Sequence, residues 1–599
     1  MRPQFWIAGL SIMLAASPAL AVTPCGTDCF LADTCERAEV QAAIAAALAQ
    51  SGGTVRIPDP AVASCDWSSA IEVDASKVPL HIQGKSEEST HIRAPEGAFV
   101  LTGAPGLALS LSHLKLSDGA CSGSCDAMVA VGGSDQWRVH HLRLETTGAL
   151  TRLFRTSGNT AGLVDHITVR GSTPSEFVTI DGEDWSEWKT KVDLGSAAQV
   201  YIEDCDIAFT DAWEGRPFDG ERGGRAVIRH NTIKNQILGN HGFDTGGTAS
   251  MLSVVAYGNA FVIDDDDSAP WSSKTWARFA HFRGGTGLLY GNTWNVGSDI
   301  WINGTIDLAI YRNPDDSGGN ESWKPCNGTQ YRMCSNIGQD WSILKGDFPA
   351  NCETDQDCQG IASDITCKWK FCSKSKLELC ETDNQCPAGE TCSGFLDGAG
   401  VDGYPCFMQP GYATQMQPYP WYEWGNTWAG GQGGSACATP PCDVDFGTSV
   451  SQLVQGRDYF DDVAQGSAPP ATCTPLEAFW VESEQTLYRC ESQDKWGVYY
   501  KAYPYPHPLQ SAGVEADGGS DAGVVPPNDA GKDTGAMDGA AGSGADGGAG
   551  SGSGGGSDED SGCGCTATGQ PRSRLAFLVV LAIPCLRRRK RANRDGCHA

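Results

Sequence analysis

The sequence predicts an all-β protein, a right-handed parallel β-helix carrying a disulfide-rich insertion and a disordered C-terminal linker. Three observations predict it. A short strand-like frame recurs along the chain, Gly, Asn, Asp and Thr punctuate the gaps, and long helical periodicity is scarce. The frame is plain in VIRHNTIKN (227–235), where Asn231 as position zero puts Ile228 at −3 and Ile233 at +2. LSHLKL, VHHLRL, VDHITV, IEDCDI, AYGNAF and LYGNTW repeat it, centred on Leu114, Leu142, Ile167, Cys205, Asn259 and Asn292. A late copy, EWGNTW, centres on Asn426.

Successive centres from 114 to 292 lie 25 to 38 residues apart, a drift natural to coils whose loops vary in length. Each copy alternates apolar and polar residues, as does a strand with one buried face. The expectation is about eight to ten rungs over residues 45–310, a late rung near 421–430, and the right-handed crossover of parallel strands. Equivalent positions then stack about 4.8 Å apart. Column zero points inward: apolar at first, an asparagine ladder later. It places Cys205 inside the coil, away from any disulfide partner.

The ends come off first. Residues 1–21 read as a secretory signal, with Arg2, an apolar run and Ala19-Leu20-Ala21 before the cut. The β-helix follows over 22–325, then a Cys-rich insertion over 326–406, then the last rung and a C-terminal cap over 407–510. Ten cysteines crowd the insertion, where CETDQDC (352–358) is echoed by CETDNQC (380–386). In an exported chain such spacing favours disulfides over zinc. Of 25 cysteines in all, four lie in the tail and an odd number remain in the body, so at least one is unpaired; Cys205 is the candidate. Residues 511–562 are Gly, Ala, Ser and Asp with almost nothing to bury, hence a flexible acidic linker. Residues 563–599 hold SGCGC's two cysteines, then LAFLVVLAIPCL (575–586), then RRRKR (587–591). Twelve apolar residues are short for a stable membrane span.

A net charge of −30 repels a phosphate backbone, which excludes nucleic acid as a partner. No Walker loop or dinucleotide fingerprint is present. The chemistry is carried by the outward columns. Position −1 runs His113, His141, His166, Asp204, His230; position −2 runs His140, Asp165, Glu203, Arg229, Tyr257, Tyr290; position +1 runs Lys115, Arg143, Thr168, Asp206, Thr232. Such a ridge suits a carbohydrate-active surface. β-Elimination needs a base and a group that neutralises a uronate carboxylate, while hydrolysis needs two carboxyls. Arg229 or His230 is the expected base, with Glu203 and Asp204 as the other catalytic residues. Asp206, Arg222, Trp213, His241 and His166 are expected to bind substrate, and Asp204 with Asp206 to hold Ca²⁺ if a metal is used. The loops 168–202, 208–225 and 234–253 would wall the cleft, with Trp185 and Trp188 adding flat faces. The rival reading is purely structural: outward columns must be polar, and opposite charges on adjacent rungs pair. The Asp264–Asp267 run reads as a solvated loop.

Two resemblances extend this. The recurring rungs and the segment GYPC…YEWGNTW…GRDYF…YPYPHPL (403–508) resemble exported bacterial β-helix proteins of the pectin-lyase-like type, which implies an extracellular polysaccharide as partner. The segment itself reads as a cap over the open coil end and implies no activity. The Cys motif, apolar stretch and Arg-rich end resemble the myxobacterial C-terminal sorting tag (MYXO-CTERM). That implies a sorting protease acting near Cys563 or Cys565 and anchoring to the outer membrane at the cell surface. The two function classes these features leave are a surface-anchored protein that binds or cleaves polysaccharide by a lyase route, and a non-catalytic adhesin or structural β-helix.

Overall fold

The computed structural model describes residues 23–511, with breaks that include 211–217, 244–248, 265–274 and most of 311–402. The signal segment, the linker beyond Ser511, the sorting tag, Trp213 and most of the Cys-rich insertion lie outside the described residues.

The chain winds as a parallel β-helix with three faces. The first face includes Gly162–Asp165, Val200–Glu203, Arg225–Arg229, Ser253–Tyr257, Thr286–Tyr290 and Trp421–Trp424, each paired in parallel with the next. The second includes Thr168–Gly171, Asp206–Phe209, Thr232–Lys234, Ala260–Ile263 and Thr293–Ile302. The third is a ten-stranded sheet running from Ile71–Asp74 to Asp445–Gly447. The expected register holds at every tested pair: Leu114 with Leu142, Asp165 with Glu203, Glu203 with Arg229, Arg229 with Tyr257, and Thr168 with Asp206. The late rung is also in place, with Leu289 opposite Glu423 and Thr293 opposite Thr427.

Column zero is buried throughout. Asn231 Nδ2 donates to Asn259 Oδ1 (3.0 Å), Asn259 Nδ2 to Asn292 Oδ1 (2.9 Å) and Asn292 Nδ2 to Asn426 Oδ1 (2.9 Å). Each Oδ1 also takes the backbone N–H of the preceding rung's asparagine, and each Nδ2 reaches a strand carbonyl such as Ile202 O or Ile228 O. A buried amide is tolerated when its donors and acceptor are used, and here they are. Cys205 heads the ladder as the free, buried cysteine among the described residues, its N–H donated to Asn231 Oδ1 (2.9 Å).

The bend before column zero explains the residue types at position −1. His113, His141, His166, Asp204 and His230 all have φ between +49° and +57°, and the later rungs place Gly258, Gly291 and Gly425 there at +60° to +64°. The left-handed region is costly for most side chains, but Asp, His and above all Gly enter it. The imidazoles of His113, His141 and His166 stack along the corner at centroid spacings of 5.1 and 4.9 Å.

Helix Arg37–Leu48 packs against the first rung through Val40, Ala43, Ile44 and Ala47, a one-sided stripe at helical spacing. The disulfide Cys35–Cys65 ties the segment before it to the coil. Within the insertion, Cys372 bonds Cys386 and Cys380 bonds Cys392, so these sulfurs are disulfides and not a thiolate zinc set. Seven described disulfides fit an oxidising, extracellular setting. Among the described residues no helix is long and apolar enough to cross a membrane.

The C-terminal region differs from the expected end cap. Ala464–Gly466, Ala478–Val481, Thr486–Ser492 and Lys495–Lys501 form a four-stranded sheet that lies on the outside of the first face. The outward column Leu163, Tyr201, Val227, Val255, Leu288 and Tyr422 shares one buried cluster with Trp480, Leu487 and Tyr500 of that sheet. Apolar residues on both sides of those strands required a cover, and this sheet supplies it.

Candidate functional site

The structure separates the expected site residues into three places. On the first face Glu203 and Arg229 form an ion pair at 2.5 Å with both side chains fully buried. They are covered by residues 502–511, a strap that follows the last strand. Arg229 donates to Tyr503 O (2.8 Å), Pro504 O (2.9 Å) and Tyr257 Oη (2.8 Å). Glu203 Oε1 accepts His507 N–H (2.8 Å) and Gln510 Nε2 (2.7 Å). Asp204 accepts Tyr505 O–H (2.6 Å) and Gln510 Nε2 (2.9 Å). One rung earlier Arg138 holds Asp165 at 2.7 Å and donates to Gln510 O (3.2 Å). The charged rows therefore seat the chain's own C-terminal strap. With the strap seated, the Arg229 side chain is fully buried, and Tyr257 and Glu203 raise its guanidinium against the cost of burial.

Asp206 faces the second side, exposed, and pairs with Arg170 at 2.5 Å. Asp204, two residues earlier, turns its carboxylate to the strap, where Tyr505 and Gln510 donate to it. His166 sits at the corner, and its Nδ1–H donates to Asp165 Oδ2 at 2.8 Å; that contact raises its imidazole above the usual value.

Arg222 and His241 lie on the third face. His241 Nδ1 is 2.8 Å from Asp219 Oδ2, both buried, and Arg222 Nε is 3.3 Å from Glu221. Asp181 is the register neighbour of Glu221 and pairs with Arg155 at 3.1 Å. Burial, and next the charge of Glu221, push the Asp181 carboxyl well up. These groups come from the loops adjacent in sequence to the first-face row, but the coil turns them to a different side.

The site that sequence reasoning missed is a groove of about 550 Å³ along the corner itself. Its floor is Gly258, Gly291 and Gly425, where the corner column changes from histidine to glycine. A Cβ added at Gly291 would meet nothing within 4 Å, so the trough is open there; one at Gly258 would touch the His230 ring, 2.9 Å from Nδ1. One wall is the stack Tyr257, Tyr290 and Trp424, with ring centroids 4.6 and 4.4 Å apart and nearly parallel. Those rings spend their faces on one another and show the groove their edges. The exposed ring is Tyr505, 49% exposed, its centroid 4.0 Å from that of His230 at the groove's end and 5.3 Å from the Arg229 guanidinium carbon. The opposite lip carries Gln465, Glu482 and Gln485 from the covering sheet. Burial, ahead of the Arg229 charge, lowers the His230 imidazole below its usual value. The signal was present in the sequence as the thrice-repeated aromatic-Gly-Asn triplet at 257–259, 290–292 and 424–426.

An open trough with a flat aromatic platform, amides and one carboxylate suits a ligand rich in hydroxyl groups. No family model matches this chain, and neither a curated protein nor a solved structure matches it.

Proposed function

We propose that this protein is an exported β-helix, displayed at the cell surface through residues 563–599, that binds extracellular polysaccharide in the glycine-floored groove. The observation that carries this reading is the groove: a run of side-chain-free corners beside the Tyr505 platform and the Gln465, Glu482 and Gln485 lip. The pectin-lyase-like resemblance and the MYXO-CTERM-like tail support the same setting. Processing near Cys563 or Cys565 by a sorting protease and attachment to the outer membrane complete the proposal. Binding is favoured over lyase cleavage because Arg229 and Glu203 are committed to the strap.

Gly291→His tests the reading. The corner accepts histidine at four other rungs in the same backbone conformation, so this change fills the trough without breaking the bend. In affinity electrophoresis through a polysaccharide panel, with and without Ca²⁺, the wild type is expected to be retarded by at least one polymer and the variant at least tenfold less. A wild type that no polymer retards, or a variant that binds equally, contradicts it.

A second reading, hydrolysis on the third face, has one observation in its favour. Asp181, raised and adjacent to Glu221, has the character of a general acid beside a carboxylate. Reducing-end release lost in Asp181→Asn would support it; no release from the wild type on any polymer removes it.

A further inference from the structure

The charges around the groove discriminate among polysaccharides. Of the side chains lining it, Glu482 is the one that bears a carboxyl group, and it stands on the lip. Its oxygens accept Trp480 Nε1 (2.5 Å) and Gln485 Nε2 (3.0 Å), which fixes it in place and leaves lone pairs for further donors. Arg229 lies beneath the groove's end, but its donors are spent on Glu203, Tyr257, Tyr503 and Pro504, and it is fully buried. Asp204 stands beside the same end, bonded to Tyr505. A sugar hydroxyl entering here finds carboxylate and amide acceptors. A uronate carboxylate finds Glu482 and Asp204, and neither Lys nor Arg among the described lining residues, in a protein whose net charge is −30.

From this we infer that the groove selects uncharged glycan chains and excludes uronates, an inference that rests on the binding reading above. The groove spans four rungs from His230 at its end to Gly425, about 14 Å at the strand spacing, long enough for a short oligosaccharide lying along the coil axis. Glu482 is the specificity-determining residue: it accepts hydroxyl donors and repels carboxylates.

The test is isothermal titration of the full chain, in chelator at moderate salt, with a neutral β-glucan oligosaccharide, a neutral xylan oligosaccharide, an oligogalacturonate and an oligomannuronate. The neutral ligands are expected to bind at least tenfold more tightly than either uronate. Glu482→Gln is expected to weaken neutral binding a few-fold while narrowing the gap to the uronates, and Gly291→His to abolish both. Uronates that bind the wild type within threefold of the neutral ligands, and are lost in Gly291→His, overturn the selectivity while leaving the groove as the binding site. Uronates bound equally by wild type and Gly291→His overturn both, as does the absence of binding by any of the four. A Glu482→Gln variant with an unchanged neutral-to-uronate ratio overturns the assignment to Glu482.

Discussion

A left-handed residue stands at the same bend of eight coils, and its identity sets what each stretch of corner can do. Where it is His113, His141 and His166, imidazoles stack along the corner; where it is Gly, the corner becomes a trough. The neighbouring histidines His140 and His141 have a pH consequence. Burial, with neighbouring charges, lowers His140 to about 3 and His141 to about 4. A histidine depressed in the fold contributes fully above its unfolded value of about 6.5 and loses that contribution as pH falls toward the folded value. Urea stability is therefore expected to fall between pH 6.5 and 4, and His141→Asn, which keeps a side chain suited to the bend, to flatten the slope. An unchanged slope would remove the corner as its source. The asparagine ladder makes a sharper demand. Asn259→Ala strips an acceptor from two donors of Asn231 and a donor from Asn292, and should cost on the order of 2–4 kcal/mol. The exposed Asp206→Asn should stay within about 0.5 kcal/mol in the same urea titrations.

At the scale of elements, the strap and the first face explain each other. A fully buried Arg–Glu pair is stable only when its remaining donors and acceptors are met, and residues 503–510 meet them with two carbonyls, an N–H and an amide. Arg229→Met should destabilise by about 3–5 kcal/mol, since it leaves the buried Glu203 carboxyl without its partner. Adding Glu203→Leu should recover part of that loss, which chemical denaturation of the single and double variants reads directly. If Arg229→Met were as stable as the wild type, the pair would not be the seat of the strap. The strap was illegible in the sequence because YPYPHPLQ has no period and meets its partners some 270 to 310 residues upstream through single hydrogen bonds. The rows it covers were legible, because apolar residues at −3 and +2 fix the register whatever stands between them.

At the scale of the molecule, the coil separates what the sequence places together. Glu203, Asp206 and Glu221 lie within 19 residues, yet they face three different sides. The rung frame gave the inward column and its neighbours, including the place of Cys205, but it carried no information on which outward row another part of the chain would cover. The glycine trough was hidden for a related reason: in each aromatic-Gly-Asn triplet the asparagine has a partner one rung away, while the glycine matters for the space it leaves. Burial of the first face by the chain's own C-terminus is the claim on which the groove, its lip and the commitment of Arg229 all depend. Hydrogen-exchange mass spectrometry of the full chain tests it most directly. A seated strap predicts that the described amides of 503–510 that hold hydrogen bonds, His507 and Leu509 among them, exchange slowly and open together with Val200–Glu203 and Arg225–Arg229. Exchange of 503–510 at the rate of a free peptide, with those strands still protected, would contradict it.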